Sequence, residues 1–271
     1  MPIPITGVAE TLVLPLYLRA RESQRSDAII QDKKSIEVVR QLDYDFRWID
    51  HLPGVMSSQV AAAIRTEIFD DVARDFLRRH PAATIVNLGA GLCTRFDRLD
   101  NGRVRWVELD LAPVIELRRR LFPDTDRHVS LACSALDFTW LEQAKQLQSQ
   151  DNAVLFIAEG MLYYLELTAT KQLLTTIGQN FSGSELAFDA IRPTMLKSIN
   201  RGQLSKRFNT EVHWGVKDFH EVEQWCSGLR FLEDWSYFDR HTNRWGIMKI
   251  IKWIPPLKKQ LWRIAHFRFK K

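Results

Sequence analysis

The stretch Ala83-Thr84-Ile85-Val86-Asn87-Leu88-Gly89-Ala90-Gly91 decides the fold. Its first part is β-branched and apolar, which predicts a buried strand, and the chain then turns at Gly89 and Gly91. A helix-like run follows from Leu92 to Leu99, then the turn Asp100-Asn101-Gly102 and a second strand from Val104 to Leu109. Strand, glycine turn, helix and strand make a βαβ unit, which belongs to a parallel sheet with right-handed crossovers. The alternation continues downstream. Pro113 opens a helix that runs to Leu121, His128–Cys133 reads as a third strand and Phe138–Gln148 as a helix. Ala153–Ala158 is the clearest buried strand, and a helix over 168–180 leads to a fifth strand, Glu185–Asp189. Residues 230–238 and 246–254 predict two more strands, as an antiparallel pair at one edge.

Upstream, residues 8–80 read as helical, with apolar residues at three- and four-residue steps. The last of these helices ends in Arg78, Arg79 and His80, cations suited to a helix C-terminus, with Pro81 as a stop. Residues 191–216 interrupt the alternation. They look too polar and irregular for core, so they are expected to form a loop or lid over the strand ends. The organisation read from this is one α/β domain over 1–271: a helical cap (1–80), a ligand-binding core (81–190), the lid (191–216) and C-terminal strands with a basic tail (217–271).

The 271 residues are 45% hydrophobic and 26% charged, the balance of a globular protein rather than a disordered chain or a coiled coil. No apolar run reaches the ~18 residues of a membrane helix. The first twenty residues carry Glu10 and no basic start, so a secretory signal is not expected. Cys93, Cys133 and Cys226 stand far apart, which suits a reducing cytoplasm. The net charge of +5 is local: residues 249–271 hold eight Lys/Arg and no acid, leaving 30 basic against 33 acidic residues over 1–248. A nucleic-acid partner is therefore not expected. The tail interleaves its cations with Trp253, Trp262, Phe267 and Phe269; an edge strand with a terminal helix is the preferred reading, and adsorption to an anionic membrane the lesser one. No metal site is expected, because the seven histidines are scattered and no H-E-x-x-H occurs.

In open α/β sheets ligands bind outside the carboxyl ends of the strands. Gly89-Ala90-Gly91 ends the first strand and lets a ligand approach bare backbone. Asp110 ends the second, 21 residues after Gly89, near the ~20 expected of a carboxylate that grips a ribose diol. Ser134 and Ala135 follow the third strand and Glu159 ends the fourth. A dinucleotide motif would place a third glycine where Thr94 stands, and no G-x-x-x-x-G-K-[ST] loop is present. S-adenosylmethionine, an adenosine without phosphate, fits the shorter motif better than NAD does.

VNLGAGLCTRFDRLDNGRVRWVELDLAPVIELRRRLFP (86–123), LACSALDFTWL (131–141) and VLFIAEGMLYYLE (154–166) together resemble the leucine carboxyl methyltransferase superfamily. RARESQRSDAIIQDKKSIEVVRQLDYDF (19–46) and GLRFLEDWSYFDRH (228–241) resemble its branch of tetracenomycin-type polyketide O-methyltransferases. The resemblance covers most of residues 12–268. It implies a Rossmann-like class I methyltransferase with a seven-stranded, mostly parallel sheet and helices on both faces. It also implies S-adenosylmethionine as methyl donor and S-adenosylhomocysteine as product. Residue by residue, it implies Arg65 at the cofactor carboxylate, Gly89 under the methionine part, Asp110 at the ribose, Ser134 and Ala135 at the adenine and Glu159 at the amino group. Arg19 aligns with an N-terminal basic contact. The family usually reads G-A-G-x-D-T-R, and this chain has Cys93 in place of the Asp.

Members of the family methylate carboxylates, so the expected acceptor is a carboxylic acid on a small natural product of polyketide or peptide origin, free or carrier-bound. A carboxylate is already ionised at neutral pH and needs no base. Tyr163 and Tyr164 are candidates to line the transfer pocket, with core aromatic packing as the alternative. Arg192, after the fifth strand, is a candidate to hold an anionic acceptor, or else a solvated loop arginine. A phenolic or alcoholic acceptor would need a base. His213 is the first candidate and His241 the second, unless both are plain surface residues. A cofactor-binding protein without turnover is the alternative from another class, and Cys93 is what suggests it.

Overall fold

The computed structural model describes residues 7–149, 151–246 and 262–270. A 3-10 turn (Gly7–Leu12) leads into four helices: α1 (Val13–Glu22), α2 (Lys33–Gln41), α3 (Arg47–Asp50) and the long α4 (Val55–Arg79). The alternating part follows as β1 (Thr84–Leu88), α5 (Arg95–Leu99), β2 (Arg105–Asp110), α6 (Ala112–Leu121), β3 (His128–Ala132), α7 (Trp140–Gln146), β4 (Val154–Ala158), α8 (Leu167–Asn180) and β5 (Glu185–Ala190). Then come α9 (Leu196–Asn200), α10 (Gln203–Phe208), β6 (Leu229–Ser236) and β7 (Arg263–Phe269). Among the described residues no helix is long and apolar enough to cross a membrane.

The strands form one sheet in the order β3-β2-β1-β4-β5-β7-β6. Strands β1 to β5 run parallel, while β7 is antiparallel to both β5 and β6. Every residue of β1, β4 and β5 is buried, as expected for parallel strands covered on both faces. Side chains alternate between the faces. Val86, Phe156 and Phe188 pack with Leu173, Leu174 and Ile177 of α8. Ile85, Leu155 and Ile157 pack with Ile64, Ile68 and Phe69 of α4. The cap forms its own cluster, in which Val13, Leu16, Val38 and Ile49 meet Leu117 and Leu121 of α6. The strand order reverses between β1 and β4, and a ligand crevice opens at such a switch point.

Two expectations need correction. The predicted strand 246–254 lies outside the described residues beyond Gly246, and the seventh strand is 263–269 instead. It lies inside the sheet, between β5 and β6, so the described end of the basic tail is a buried strand rather than an edge strand or a terminal helix. The segment 191–216 is also more than a loop: it holds α9 and α10, and Ile191, Phe208, Val212, Trp214 and Val216 are core residues. Val212, Trp214 and Val216 alternate with polar neighbours, a period-two pattern that a reading for helices overlooks. Backbone bonds tie the segment down, from Val216 N to Ile191 O (2.8 Å) and from His213 N to Tyr163 O (2.9 Å).

Glu185 explains how β7 can sit inside the sheet with charges on it. Its carboxylate is 2.8 Å from His266 Nε2 and accepts bonds from Arg79 (2.8 and 2.9 Å) and Arg268. Burial pushes that carboxyl up, but the bonds from His266, Arg79 and Arg268 outweigh it and hold the group well below the usual range. Glu185 and His266 are buried while Arg79 and Arg268 reach solvent, so removing the carboxylate strands mainly His266 and costs about 1–3 kcal/mol, less than breaking a fully buried ion pair. Glu185→Ala is expected to lose stability on that scale in urea denaturation, whereas a loss within ~0.5 kcal/mol, as at an ordinary surface site, would contradict this role.

Candidate active site

A cavity of about 570 Å³ opens at the carboxyl edge of the sheet, a size that suits a ligand the bulk of a nucleoside with room beside it (pockets run ~300–1,000 Å³). Gly89, Ala90, Gly91, Asp110, Ser134, Ala135, Glu159, Tyr163, Tyr164, Arg65 and Arg19 all contribute to its wall. The strand ends and the cap helices bring together these residues from seven separate places in the chain. Arg192 and His213 are not part of that wall. His213 Nδ1 lies 3.0 Å from Glu166 Oε1, and His241 Nε2 lies 2.9 Å from Glu67 Oε1.

The glycine turn is fixed by close approach. Gly89 has a φ of +64°, and a Cβ there would meet Met161 Cγ at 2.6 Å. Asp110 braces the turn: its Oδ2 accepts Gly91 N (2.7 Å) and its Oδ1 accepts Leu111 N (2.7 Å). It is not the cap of α6, a place held by Leu111. Burial raises the Asp110 carboxyl above its ordinary value, against the pull of those two N–H groups. Both oxygens keep a free lone pair, so the group can still accept from a vicinal diol.

Arg118 is a residue that sequence reasoning missed. It lies on α6, fully buried, in an ion pair with Glu108 at 2.8 Å, and its Nη1 donates to Gly91 O (2.9 Å) and Cys93 O (3.0 Å). Asp32 is another. It accepts from Thr94 Oγ1 (2.6 Å), Arg19 Nε (3.0 Å) and Ser35 N (3.0 Å), and pairs with Arg98 at 2.9 Å. Arg19 also donates to Leu92 O (2.8 Å). The loop 89–95 is therefore held from α1, α2 and α6 together. Within the loop, burial pushes the Cys93 thiol up and keeps it neutral.

Glu159 is the electrostatic centre. Its Oε1 lies 2.9 Å from Arg65 Nε and its Oε2 accepts from Arg95 Nη2 at 2.6 Å. Arg95 Nε in turn donates to Asp70 Oδ1 (2.7 Å), and Arg65 Nη1 lies 3.5 Å from Asp189 Oδ2. Burial would raise the Glu159 carboxyl, but Arg65 and Arg95 bring it down to about 2. It is thus an anion at any ordinary pH and can accept from an ammonium group. Arg65 Nε, despite its 2.9 Å approach, is not aligned for a hydrogen bond. The Arg65 side chain keeps 18% exposure on the cavity wall, so the rest of its guanidinium can donate to an incoming carboxylate. With the turn that a Cβ would fill and these complementary charges, the residues fit a nucleoside carrying an amino-acid tail.

Asp189, next to last in β5, is fully buried, with Oδ1 accepting Gly160 N (2.7 Å) and Oδ2 without a hydrogen bond among the described residues. Burial raises it to about 6, more than Arg65 and Gly160 N lower it. A carboxyl raised in the folded state binds its proton more tightly there, so it stabilises the fold at low pH and loses that contribution as pH climbs through the window 3.8 to about 6. Asp189→Asn keeps the acceptor for Gly160 and removes the titration. The stability of the wild type relative to this variant is expected to fall by up to ~3 kcal/mol between pH 3.5 and pH 7 in denaturant titrations. A difference that stays flat would contradict the raised value.

Similarity to other proteins points the same way. The description "Leucine carboxyl methyltransferase" belongs to the family model that matches residues 13–178. The tetracenomycin polyketide synthesis O-methyltransferase TcmP of Streptomyces glaucescens is 30% identical over 238 residues, covering 88% of this chain and 86% of that protein. The S-adenosyl-L-methionine-dependent methyltransferase dpfgK of Gibberella zeae is 28% identical over 250 residues, covering 85% and 83%. Among solved structures, a DUF574 family protein from Streptomyces avermitilis superposes with a TM-score of 0.62 at 12% identity, over 96% of this chain and 97% of that one. An S-adenosylmethionine-dependent methyltransferase from Mesorhizobium loti does so with a TM-score of 0.51 at 16% identity, over 73% and 96%. The chain belongs to the leucine carboxyl methyltransferase family.

Proposed function

We propose that this enzyme transfers the methyl group of S-adenosylmethionine to a carboxylate oxygen of a small, largely apolar acid of the polyketide type. The observation that carries the reading is the row of groups along the carboxyl edge: the Gly89–Gly91 turn on β1, Asp110 on β2 and Glu159 with Arg65 at β4. In this reading Asp110 holds the ribose diol, Ser134 and Ala135 flank the adenine, Glu159 accepts from the amino group and Arg65 pairs with the cofactor carboxylate. S-adenosylmethionine supplies, when bound, a methyl group on a cationic sulfur that leaves by in-line displacement.

The acceptor half of the cavity is built from Tyr163, Tyr164, Ile199, Leu204, Phe208, Phe238 and Trp245. Such walls suit a flat apolar body and exclude water from the reacting end. The chemistry of the polar groups favours an acceptor that brings its own charge. Tyr163 and Tyr164 are both pushed up by burial, so they stay phenols and donate. Among the described residues of the wall there is no histidine, Asp110 is engaged by two backbone N–H groups and Glu159 by two arginines. Donors without a base fit a carboxylate, whose proton is already gone. A phenol or alcohol, for which His213 was the candidate base, draws no support from a histidine outside the wall. The similarity to TcmP, a polyketide O-methyltransferase by its name, supports the substrate class.

Two measurements test this reading. Incubation with methyl-labelled cofactor and matched panels of aromatic acids, phenols and amines is expected to give methyl esters, with kcat flat between pH 6.5 and 9. Methyl ethers, with a rate that climbs across neutrality, would contradict it. By calorimetry, Asp110→Ala and Arg65→Ala are each expected to weaken S-adenosylhomocysteine binding by about tenfold or more, the scale of one charge-assisted contact. Unchanged affinity in both would remove the cofactor assignment.

A further inference from the structure

The cavity wall contains a hydroxyl with nothing to bond to. Tyr237 follows β6 directly, is 3% exposed and lines the cavity, and its hydroxyl has no hydrogen-bond partner among the described residues. Buried polar groups are nearly always paired, because a hydroxyl taken out of water forfeits the bonds it had there. A ligand that enters the cavity is the natural source of the missing partner.

The hydroxyl is also held in place. Tyr237 opens a short 3-10 turn closed by a capping box, in which Ser236 Oγ accepts Phe238 N (3.3 Å) and Asp239 Oδ2 accepts Ser236 N (3.2 Å). The next residues are tied to the cap helices. Arg240 Nη1 pairs with Glu67 (3.0 Å) and Asp71 (2.6 Å) on α4, and Arg244 Nη2 pairs with Glu22 (3.0 Å) on α1. Phe238 and Trp245 stack with ring centres 4.3 Å apart. This stretch thus fixes the Tyr237 ring as one wall of the cavity.

Strand order indicates which ligand the hydroxyl meets. The cofactor-side groups end β1, β2 and β4. Strand β6 lies at the opposite margin of the sheet, beyond β5 and β7, and its C-terminus points to the same edge because β7 is antiparallel to both its neighbours. Tyr237 therefore enters the cavity from the side remote from Asp110. Asp189, Arg65, Tyr163 and Glu159 act on it electrostatically, so the ring stands beside Tyr163 and the charged groups at the carboxyl ends of β4 and β5. Burial keeps its proton on, so it is a donor.

We infer that the Tyr237 hydroxyl binds the acceptor: it donates to the carboxylate oxygen that is not methylated and so turns the other oxygen toward the methyl donor. This rests on the carboxylate reading above. Tyr163 and Tyr164 flank the same end from the β4 side, so the acceptor group sits between donors from two different parts of the chain.

Tyr237→Phe removes the hydroxyl and keeps the ring. With the best-turned-over aromatic acid of the panel, kcat/KM is expected to fall by about tenfold, the loss of one hydrogen bond to a charged group. Calorimetric affinity for S-adenosylhomocysteine should stay within about twofold of wild type, and the unliganded variant should melt no lower than wild type. An unchanged kcat/KM overturns the inference. So does a tenfold loss of S-adenosylhomocysteine affinity, which would put the hydroxyl on the cofactor, or a lower melting temperature, which would make it structural. If the wild type turns over phenols and no acid, the carboxylate reading fails by itself. The inference is then overturned in its stated form, and the same kcat/KM comparison on the phenol shows whether the hydroxyl contacts an acceptor at all.

Discussion

Glu159 shared between Arg65 and Arg95 is the contact on which the rest of the site depends. It joins three parts of the chain that the sequence keeps far apart: the cap helix α4, the short helix after the glycine turn and the carboxyl end of β4. An anion at the end of an apolar strand would be costly alone, and each arginine would be costly without it. Together with Asp70 and Asp189 they form a chain of alternating charges, of which Glu159 and Arg65 reach the cavity wall. Two of its atoms, Arg65 Nε and Asp189 Oδ2, make no hydrogen bond among the described residues.

The two halves of the cavity are built by different rules. On the cofactor side, backbone does the work: a turn that only glycine fits, carbonyls held by Arg118 and a carboxylate pinned to two N–H groups. That half needs one fixed shape for one fixed ligand. On the acceptor side, large side chains come from loops at the same edge: Tyr163 and Tyr164 after β4, Phe208 from α10, Phe238 and Trp245 after β6. Loop-borne side chains can change without touching the sheet, so this part of the wall is free to vary independently of the glycine turn.

The parallel part of the fold was legible because it is written in local patterns. Strands β1 to β5 are short apolar runs bounded by turn residues, and Gly89 to Asp110 spans one βαβ step. Strand β7 was not. Its residues include Arg263, His266 and Arg268, which read as a solvated tail until Glu185 and Asp234 are seen beside them. The same limit hid Arg118, Asp32 and Asp189, whose roles depend on partners distant in sequence. Arg192 and His213 were drawn to the site by their place after β5, yet neither lines the cavity; the chain between them folds into α9 and α10 and reaches the cavity through Ile199, Leu204 and Phe208 instead. Tyr237 shows the reverse case: its value comes from a missing bond, which only coordinates reveal.

The most direct measurement is a crystal structure of the enzyme with S-adenosylhomocysteine. The ribose hydroxyls are expected on Asp110, the amino group on Glu159 and the cofactor carboxylate on Arg65, with open volume left between Tyr163 and Tyr237. A nucleoside bound elsewhere, or a methionine tail that turns away from the Glu159–Arg65 pair, would contradict this placement.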